Sequence, residues 1–342
     1  MENWPKISVV LPIRNEAEFI ARTIKYLQEQ DYPRDKLEIL VVVGDSTDNT
    51  AEIVQQIASE DERVRYFHNQ KNWSSSARNI GAKAATGEII TYIDGHTYID
   101  NDQLLKSTAR LMSENNVSVL SRPQFLDTPE NTTFQKAVAC ARKSPLGHGL
   151  DSTIYSEQDM LVNPASAGAS YKREVFDTVG YFDESFDASE DYEFNYRISQ
   201  AGYKAFTSLK LAVYYYPRNS FLTLFKQMVR YGRGRMRLAR KHHGTLGLGT
   251  LIPPFFTLGL LGLPLVNNLS YTLGQLYSGC YLLYALAVIA SATVVAARQG
   301  IAYLFLVPPI FLAIHLGLGC GFLLELITGK KIPKKQKNRI GK

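Results

Sequence analysis

The charge along this chain is distributed so unevenly that it limits how the chain can fold. Residues 244–329 include a single basic residue, Arg298, and a single acidic residue, Glu325. Ordinary soluble domains have about 25% charged residues, so this stretch cannot supply the surface of one. A membrane helix needs roughly 20 apolar residues, and the stretch has room for more than one. Residues 244–329 are therefore expected to lie in a membrane.

The remaining charges separate two other parts of the chain. Residues 1–243 carry 30 basic and 31 acidic residues, as expected of a soluble domain large enough to bury a sizeable core. Residues 330–342 carry seven basic and no acidic residues. The net charge of +6 and the pI near 9.0 therefore come from this tail. We expect no nucleic-acid partner, and we expect the tail to contact anionic membrane lipids.

Two further features exclude whole classes of protein. The cysteines Cys140, Cys280 and Cys320 form no CxxC pair, and two of them lie in the apolar stretch, so neither a disulfide framework nor a zinc site is indicated. The first residues contain no long apolar run of the kind that a cleaved signal peptide needs. We therefore expect a multi-pass protein of the cell membrane whose front domain stays in the cytoplasm.

Three segments of the apolar stretch are long enough to cross about 30 Å of hydrocarbon: residues 246–266, 277–297 and 301–327. The first contains three prolines, and each removes a backbone donor that lipid cannot replace. Basic clusters flank the stretch on both sides, and the positive-inside rule places both in the cytoplasm, which requires an even number of crossings. We therefore predict two crossings, with the first segment re-entrant or at the interface. The alternative is three crossings with the tail outside.

In the front domain, short apolar runs alternate with segments whose apolar residues are spaced by three and four. Strands are predicted over residues 7–11, 37–43, 64–67, 89–93 and 117–120. Such alternation predicts an α/β fold, with a mostly parallel sheet and helices on both faces. Ligands of these sheets bind at the carboxyl ends of the strands, where this chain has PIRNE (12–16), GDSTDNT (44–50) and DGH (94–96). Because GxGxxG and GxxxxGK[ST] are both absent from the sequence, neither a dinucleotide site nor a P-loop is indicated.

A larger set of motifs follows in order: PxRNE (12–16), STDxT (46–50), ARNxG (77–81), TGEIIxxxD (86–94), REVFxxVGxFDE (173–184), ED (190–191) and QxxRY (227–231). Their order and spacing resemble the inverting nucleotide-sugar glycosyltransferases of family two, which have a GT-A fold, over nearly all of the front domain. Three segments followed by membrane helices are most similar to exopolysaccharide enzymes of the succinoglycan glucosyltransferase type. They are SPLGHG (144–149), SEDYEFNYRISQAGY (189–203) and RYGRGR (230–235).

The resemblance implies a domain plan and an activity. A GT-A nucleotide-sugar-binding domain with a mostly parallel mixed sheet would occupy residues 1–225, an amphipathic interface helix 226–243, the membrane block 244–329 and the basic tail 330–342. The implied activity is transfer of a hexose, with inversion, from a nucleotide sugar, expected to be UDP-linked. The acceptor would be lipid-linked or a polysaccharide, at the cytoplasmic membrane face.

Three other functions are considered. A polyprenyl-phosphate glycosyltransferase needs an acceptor phosphate, and residues 142–149 are no clear phosphate clamp. A nucleotidyltransferase would be expected to carry a glycine- and lysine-rich loop after its first strand, where this chain has PIRNE. A non-catalytic membrane scaffold would not need both Asp94 and Asp191.

The resemblance assigns a divalent metal ion, Mn²⁺ or Mg²⁺, to Asp94 and His96. Such an ion neutralises the charge that builds on a leaving diphosphate. The family usually has Asp-x-Asp here, and histidine at the second position suits Mn²⁺ better than Mg²⁺. A turn with a solvated histidine is the structural alternative.

The resemblance implies that Asp191 is the catalytic base and that Glu190 positions or assists it. The pair precedes a helical pattern, and the positive end of a helix dipole favours an ionised carboxylate, which can take a proton from an acceptor hydroxyl. From the residues alone, four neighbouring carboxylates are equal candidates: Asp183, Glu184, Asp187 and Glu193.

The nucleotide pocket implied by the resemblance includes Pro12, Arg14 and Glu16 around the uridine. Relatives usually have VDDGSTD where this chain has VVGDSTD (42–48), so Val43 stands in place of the usual first Asp. The contact to the base then passes to Asp45 or to a backbone group.

The diphosphate side of the pocket would include Asp94 and Arg78, which could also contact the base. For Asp48 and Asn79, helix capping is an equal alternative to ligand contact.

The QxxRY motif implies that Gln227 and Arg230 approach the diphosphate and that Tyr231 borders the acceptor. An arginine suits a diphosphate because its fork binds two oxygens. The alternative is an amphipathic helix on anionic lipid, with Arg233, Arg235 and Arg237 as its basic face.

Overall fold

The computed structural model describes residues 3–148, 152–165 and 168–329, so the predicted lipid-binding tail lies outside the described residues. The chain divides into two compact units. The first unit comprises Met1–Ala139 and Leu150–Pro217, and the second comprises Cys140–Gly149 and Arg218–Lys342. The SPLGHG segment thus belongs with the apolar helices, although it interrupts the first unit in sequence.

The first unit is built from short strands that alternate with helices. Its strands are β1 Ile7–Ile13, β2 Leu37–Gly44, β3 Val64–Asn69, β4 Ile89–Tyr92, β5 Thr97–Tyr98, β6 Val119–Ser121, β7 Gln124–Phe125, β8 Met160–Val162, β9 Gly168–Lys172, β10 Ala205–Thr207 and β11 Val213–Tyr215. Its helices are α1 Ile20–Gln28, α2 Thr50–Glu60, α3 Ser74–Ala84, α4 Leu104–Glu114, α5 Thr133–Lys143, α6 Arg173–Val179 and α7 Glu190–Gln200, and the end of α5 falls in the second unit.

The main sheet has the strand order β3-β2-β1-β4-β9-β6-β10-β8. Neighbouring strands from β3 to β4 are parallel, whereas β9 is antiparallel to both β4 and β6. The predicted mostly parallel sheet is therefore confirmed. A smaller sheet with the order β5-β11-β7 accompanies it. Because β1, β2 and β4 are parallel neighbours, the loops after them meet at one edge of the sheet.

The sheet is buried on both faces, as its continuous apolar strands predict. In β2, Ile39 and Val41 pack in one hydrophobic cluster, while Leu40 and Val42 pack in the other. Helix α3 lies close against β1, since a Cβ built on Gly81 would be only 2.2 Å from Val10 Cγ1. The glycine of ARNxG is therefore required for this helix to pack closely on the sheet. This packing also positions Arg78, which lies one helical turn before Gly81.

The second unit contains α8 Phe221–Lys241, α9 Leu248–Leu269, α10 Tyr271–Gln299 and α11 Ala302–Thr328. Helices α9, α10 and α11 are each long and apolar enough to cross a membrane. Helix α9 continues through Pro253, Pro254 and Pro264, so the first apolar segment is one helix and is not broken at its prolines. Whether it crosses the bilayer or lies at the interface stays a prediction.

Helices α8 and α11 run side by side in the same direction. Met228 lies against Gly317, Val229 against Gly321, and Arg240 donates to Leu326 O at 2.9 Å, so residue numbers rise together along both helices. A Cβ on Gly321 would lie 2.0 Å from Val229 O. The glycines on the face of α11 that contacts α8 therefore permit a close approach of the two backbones, as at many helix interfaces in membranes.

Candidate active site

The loops after β1 and β2 are joined by hydrogen bonds at the predicted ligand edge. Arg14 Nε donates to Asp45 O at 3.1 Å, and Thr47 N donates to Asn15 Oδ1 at 2.8 Å. Asp48 accepts from Ala17 N and from Thr50 N. It therefore binds the first backbone N–H of α2, although the N-cap residue of that helix is Asn49. These bonds hold the PIRNE segment, from Pro12 at the end of β1 through Glu16, beside the loop that carries Asp45.

Asp45 is an exposed carboxylate with two side-chain partners. Asn72 Nδ2 donates to its Oδ2 at 2.7 Å, and His68 Nε2 lies 2.7 Å from its Oδ1. These hydrogen bonds, first from Asn72 and then from His68, hold the pKa of Asp45 below its usual value. Val43 is fully buried and therefore offers no side chain to a ligand.

Sequence reasoning missed His68 and Asn72. The signal that could have found them is their place at and just after the end of β3, the strand beside β2.

Arg78 links the two groups of predicted catalytic residues. Its Nη2 lies 3.4 Å from Asp94 Oδ1, and its Nε lies 3.4 Å from Glu190 Oε1. The guanidinium also lies over the rings of Tyr92 and Phe182. Burial opposes its charge, but Asp94, Glu190 and Asp191 together raise the pKa of Arg78 above its ordinary value. The side chain is therefore a permanent cation between the end of β4 and the start of α7.

Glu190 and Asp191 begin α7 in contrasting environments. Glu190 is buried, and burial, followed by the neighbouring charge of Asp191, raises its pKa. Asp191 is exposed, and its Oδ1 accepts from Tyr192 N at 2.8 Å.

Two of the carboxylates that the sequence left as alternatives to Asp191 have other partners. Glu193 is buried and bound by Arg197. Glu184 accepts from Asn79 and Lys71.

Asn79 has a structural role that differs from both alternatives considered for it. Its Nδ2 donates to Phe182 O at 3.0 Å, and its Oδ1 accepts from Phe182 N at 2.9 Å. It thus ties α3 to the loop that precedes α7.

Asp94 and His96 follow β4 and lie beside the PIRNE loop. His96 Nδ1 lies 2.8 Å from Glu16 Oε1, so Glu16 orients this imidazole. Within the described part of the chain, no group of three or more His, Cys, Asp and Glu side chains is placed to hold a metal ion. The donor set of Asp94 and His96 nevertheless fits a nucleotide-site ion, since such an ion takes several of its ligands from phosphate oxygens and water.

The QxxRY residues lie on α8, in the second unit. Gln227 Nε2 donates to Tyr231 Oη at 3.2 Å, one helical turn later, and Arg230 occupies the same turn. The later arginines of the helix have a partner that the sequence did not suggest. Arg233 Nε and Arg237 Nε lie 2.9 and 3.0 Å from the two carboxylate oxygens of Glu325 in α11.

Comparisons with known proteins agree with this architecture. A family model described as "Glycosyl transferase family 2" matches residues 8–180. Succinoglycan biosynthesis protein ExoA of Rhizobium meliloti is 33% identical over 252 residues, which cover 72% of this chain and 73% of that protein. A dolichyl N-acetyl-alpha-D-glucosaminyl phosphate 3-beta-D-2,3-diacetamido-2,3-dideoxy-beta-D-glucuronosyltransferase of Methanococcus voltae is 24% identical, over 78% of this chain and 83% of its own.

Among solved structures, a mannosyltransferase from Pyrobaculum calidifontis, in complex with GDP-Man and Mn²⁺, superimposes with a TM-score of 0.60. It is 20% identical, and the match covers 96% of this chain and 89% of that one. The likeness confirms the GT-A-like α/β domain followed by apolar helices. Together, the family model and the Rhizobium relative show that this chain belongs to glycosyl transferase family 2.

Proposed function

We propose that this family 2 glycosyltransferase transfers a hexose, with inversion, from a UDP-sugar to a lipid-linked or polysaccharide acceptor at the cytoplasmic face of the membrane. The observation that carries this proposal is the placement of Arg78 between Asp94 and Glu190, with Asp191 beside them at the start of α7. A candidate group for the leaving diphosphate and a candidate base thus lie around one largely buried cation.

The donor would lie along the loops after β1, β2 and β4. Pro12, Arg14 and Glu16 would line the uridine, and Asp45, held ionised by Asn72 and His68, would accept a hydrogen bond from the base. Arg78 would hold positive charge near the diphosphate.

We assign Gln227, Arg230 and Tyr231 to the donor and acceptor on the resemblance of QxxRY alone. Residues 1–225 would form the catalytic domain, with the interface helix, membrane block and tail following as predicted.

Asp94 and His96 are the residues that would hold a divalent ion, Mn²⁺ or Mg²⁺. Once bound, the ion would neutralise charge on the leaving diphosphate. Glu16 would keep the His96 imidazole oriented, a supporting role common around metal-bound histidines. The Mn²⁺ in the Pyrobaculum structure supports metal dependence as part of the proposal.

The base would be Asp191. Its exposed carboxylate would take the proton of an acceptor hydroxyl as that oxygen attacks the anomeric carbon, and the sugar–diphosphate bond would break on the opposite face. Glu190, whose pKa is raised by burial, would hold Arg78 in place and contribute no competing base at the surface.

The acceptor is proposed from the membrane block and from the relatives. The names of these two relatives link one to succinoglycan biosynthesis and the other to a dolichyl-phosphate-linked sugar. Both are consistent with an acceptor that a membrane presents.

A donor screen tests the proposal. Detergent-purified protein would be mixed with UDP-, GDP- and dTDP-sugars, and release of the nucleoside diphosphate would be measured with and without a membrane-lipid extract. We expect a UDP-sugar to be consumed faster than the others. Consumption of GDP- or dTDP-sugars alone would overturn the assignment of uridine as the nucleoside of the donor. Consumption of none of these sugars would overturn the proposed function.

A further inference from the structure

Arg122 is a buried cation that the proposed mechanism does not use. It follows β6, and only 2% of the residue is exposed. Its Nη1 donates to Tyr92 O at 2.6 Å, and its Nη2 donates to Thr91 Oγ1 at 2.6 Å and to Ser170 Oγ at 3.3 Å. All three acceptors are neutral. Among the described residues, its Nε has no hydrogen-bond partner.

In the part of the chain that the structure describes, this guanidinium therefore has no ion pair of the kind that usually accompanies a buried charge. Burying an unpaired charge is costly, and a neutral amide could join the same strands at lower cost. Burial lowers the pKa of Arg122, while Tyr215 and Asp94 act in the opposite direction. Arginine stays protonated in proteins, so the positive charge persists at this position.

The position itself is close to the proposed donor site. Tyr92 ends β4 and lies two residues before Asp94. Arg122 binds the Tyr92 carbonyl, whereas Arg78 lies over the Tyr92 ring at 5.0 Å. Two buried guanidiniums thus contact the same residue, one through its backbone and one through its side chain. Arg78 pairs with the carboxylates of Asp94 and Glu190. Arg122 has no carboxylate within hydrogen-bond distance among the residues the structure covers.

We propose that Arg122 is a positioning residue of the donor site, whose unbalanced buried charge attracts the donor diphosphate to the end of β4. The inference rests on the proposed function, because it takes a nucleoside diphosphate as the ligand. A bound diphosphate would supply a negative charge near Arg122, whose hydrogen-bond acceptors in the described residues are all neutral. The guanidinium is already in place before the reaction. Its electric field would therefore stabilise the leaving diphosphate as negative charge develops on it.

Two substitutions separate this charge from its hydrogen bonds. Arg122→Gln keeps donors for the strand carbonyl and removes the charge, whereas Arg122→Lys keeps the charge and loses the fork geometry. We expect UDP affinity, measured by calorimetry on the full-length protein in detergent, to fall about tenfold or more in Arg122→Gln and to be largely retained in Arg122→Lys. The reverse order would show that only the hydrogen bonds matter and would overturn the proposal.

Arg63→Gln is the matched control. Arg63 is also buried, but it pairs with Asp61 just before the start of β3. That is the opposite edge of the sheet from the carboxyl ends of the strands, where the donor site is proposed. We expect this variant to bind UDP as the unmodified protein does. If it loses as much affinity as Arg122→Gln, the effect belongs to general destabilisation and the proposal fails.

A pH profile gives a second readout that does not depend on Arg122→Gln folding. A buried lysine can lose its proton as the pH rises, because burial lowers its pKa, whereas arginine cannot. We expect the UDP affinity of Arg122→Lys, relative to the unmodified protein, to fall between pH 7 and pH 9. A constant ratio would overturn the inference. If the unmodified protein binds no UDP at any pH, the proposed donor fails first, which keeps the two failures apart.

Discussion

The ED pair shows how two neighbouring carboxylates acquire different chemistry from their surroundings. Glu190 and Asp191 are neighbours, yet one is buried against Arg78 and the other is exposed. The sequence placed both at a helix start but left neighbouring carboxylates equal, because charge pattern does not report burial. In the structure, Glu184 and Glu193 each pair with a basic side chain.

We predict that Asp191→Asn retains UDP binding and loses transfer. The amide has the same shape but cannot accept the acceptor proton, and general-base catalysis contributes roughly 10²–10⁴-fold. Turnover and UDP affinity would be measured on the same preparation. Asp177→Asn, an exposed change on α6, is the control that should keep full activity. Normal turnover in Asp191→Asn would remove the base assignment.

Asp94 is predicted to control the response to metal. Chelation should stop transfer, and added Mn²⁺ should restore it in the unmodified protein. Asp94→Asn should need far more Mn²⁺, because an amide oxygen is a weaker ligand than a carboxylate. Mn²⁺ binding in the presence of UDP, followed by electron paramagnetic resonance, checks the site without relying on activity. Transfer that continues in excess chelator would refute the roles of Asp94 and His96.

At the scale of elements, the strands with continuous apolar runs were predictable. The sequence placed β1, β2 and β4 within two residues of their observed ends, because buried parallel strands are apolar almost throughout. The edge strand β3 was also placed within two residues, although Arg65 and His68 within it are exposed. Strand β9 was not predicted. Its sequence, GASYK, has small residues and no alternation, and its pairing between β4 and β6 comes only from tertiary contacts.

The arginines of α8 show the same limit. Their spacing indicated a basic face toward lipid, and nothing in the sequence tied them to Glu325, which is about ninety residues away. Glu325 is almost fully buried, and Arg233, Arg237 and Arg240 all lie within ion-pair distance of it. The ion pairs therefore join the QxxRY helix to the last apolar helix.

Glu325→Gln is predicted to destabilise this helix pair. Removing one partner of a buried ion pair costs about 3–5 kcal/mol, and here it would leave three cations facing a neutral amide. Thermal unfolding in detergent, monitored by circular dichroism, measures the loss. Glu114→Gln, an exposed change at the end of α4, is the control and should leave the melting temperature unchanged. Equal melting temperatures for both variants would contradict the account.

At the scale of the whole molecule, the uneven charge separates three tasks. Most of the near-neutral front part, Met1–Ala139 and Leu150–Pro217, forms the α/β unit. The stretch 244–329, with one basic and one acidic residue, forms α9, α10 and α11. The basic tail is the third part. The number of crossings was not fixed by sequence, because segment count and flanking charge disagree. A continuous α9 removes the expected break at its prolines but gives no orientation.

We predict that the basic tail and the catalytic domain both face the cytoplasm. In a cysteine-free background, single cysteines at residues 177 and 337 would be tested with a membrane-impermeant thiol reagent on intact and on permeabilised cells. The positive-inside rule predicts labelling of both only after permeabilisation. Labelling of residue 337 but not of residue 177 on intact cells would establish an odd number of crossings and contradict the predicted topology.

The proposed reaction is a single displacement in which one carboxylate base activates the acceptor. The anomeric configuration of the transferred sugar tests it most directly. An α-linked UDP-hexose would be supplied to the detergent-purified protein with an acceptor found in the lipid extract, and the product would be examined by nuclear magnetic resonance. We predict a β-linked product, since attack from the face opposite the diphosphate inverts the anomeric carbon. An α-linked product would contradict it.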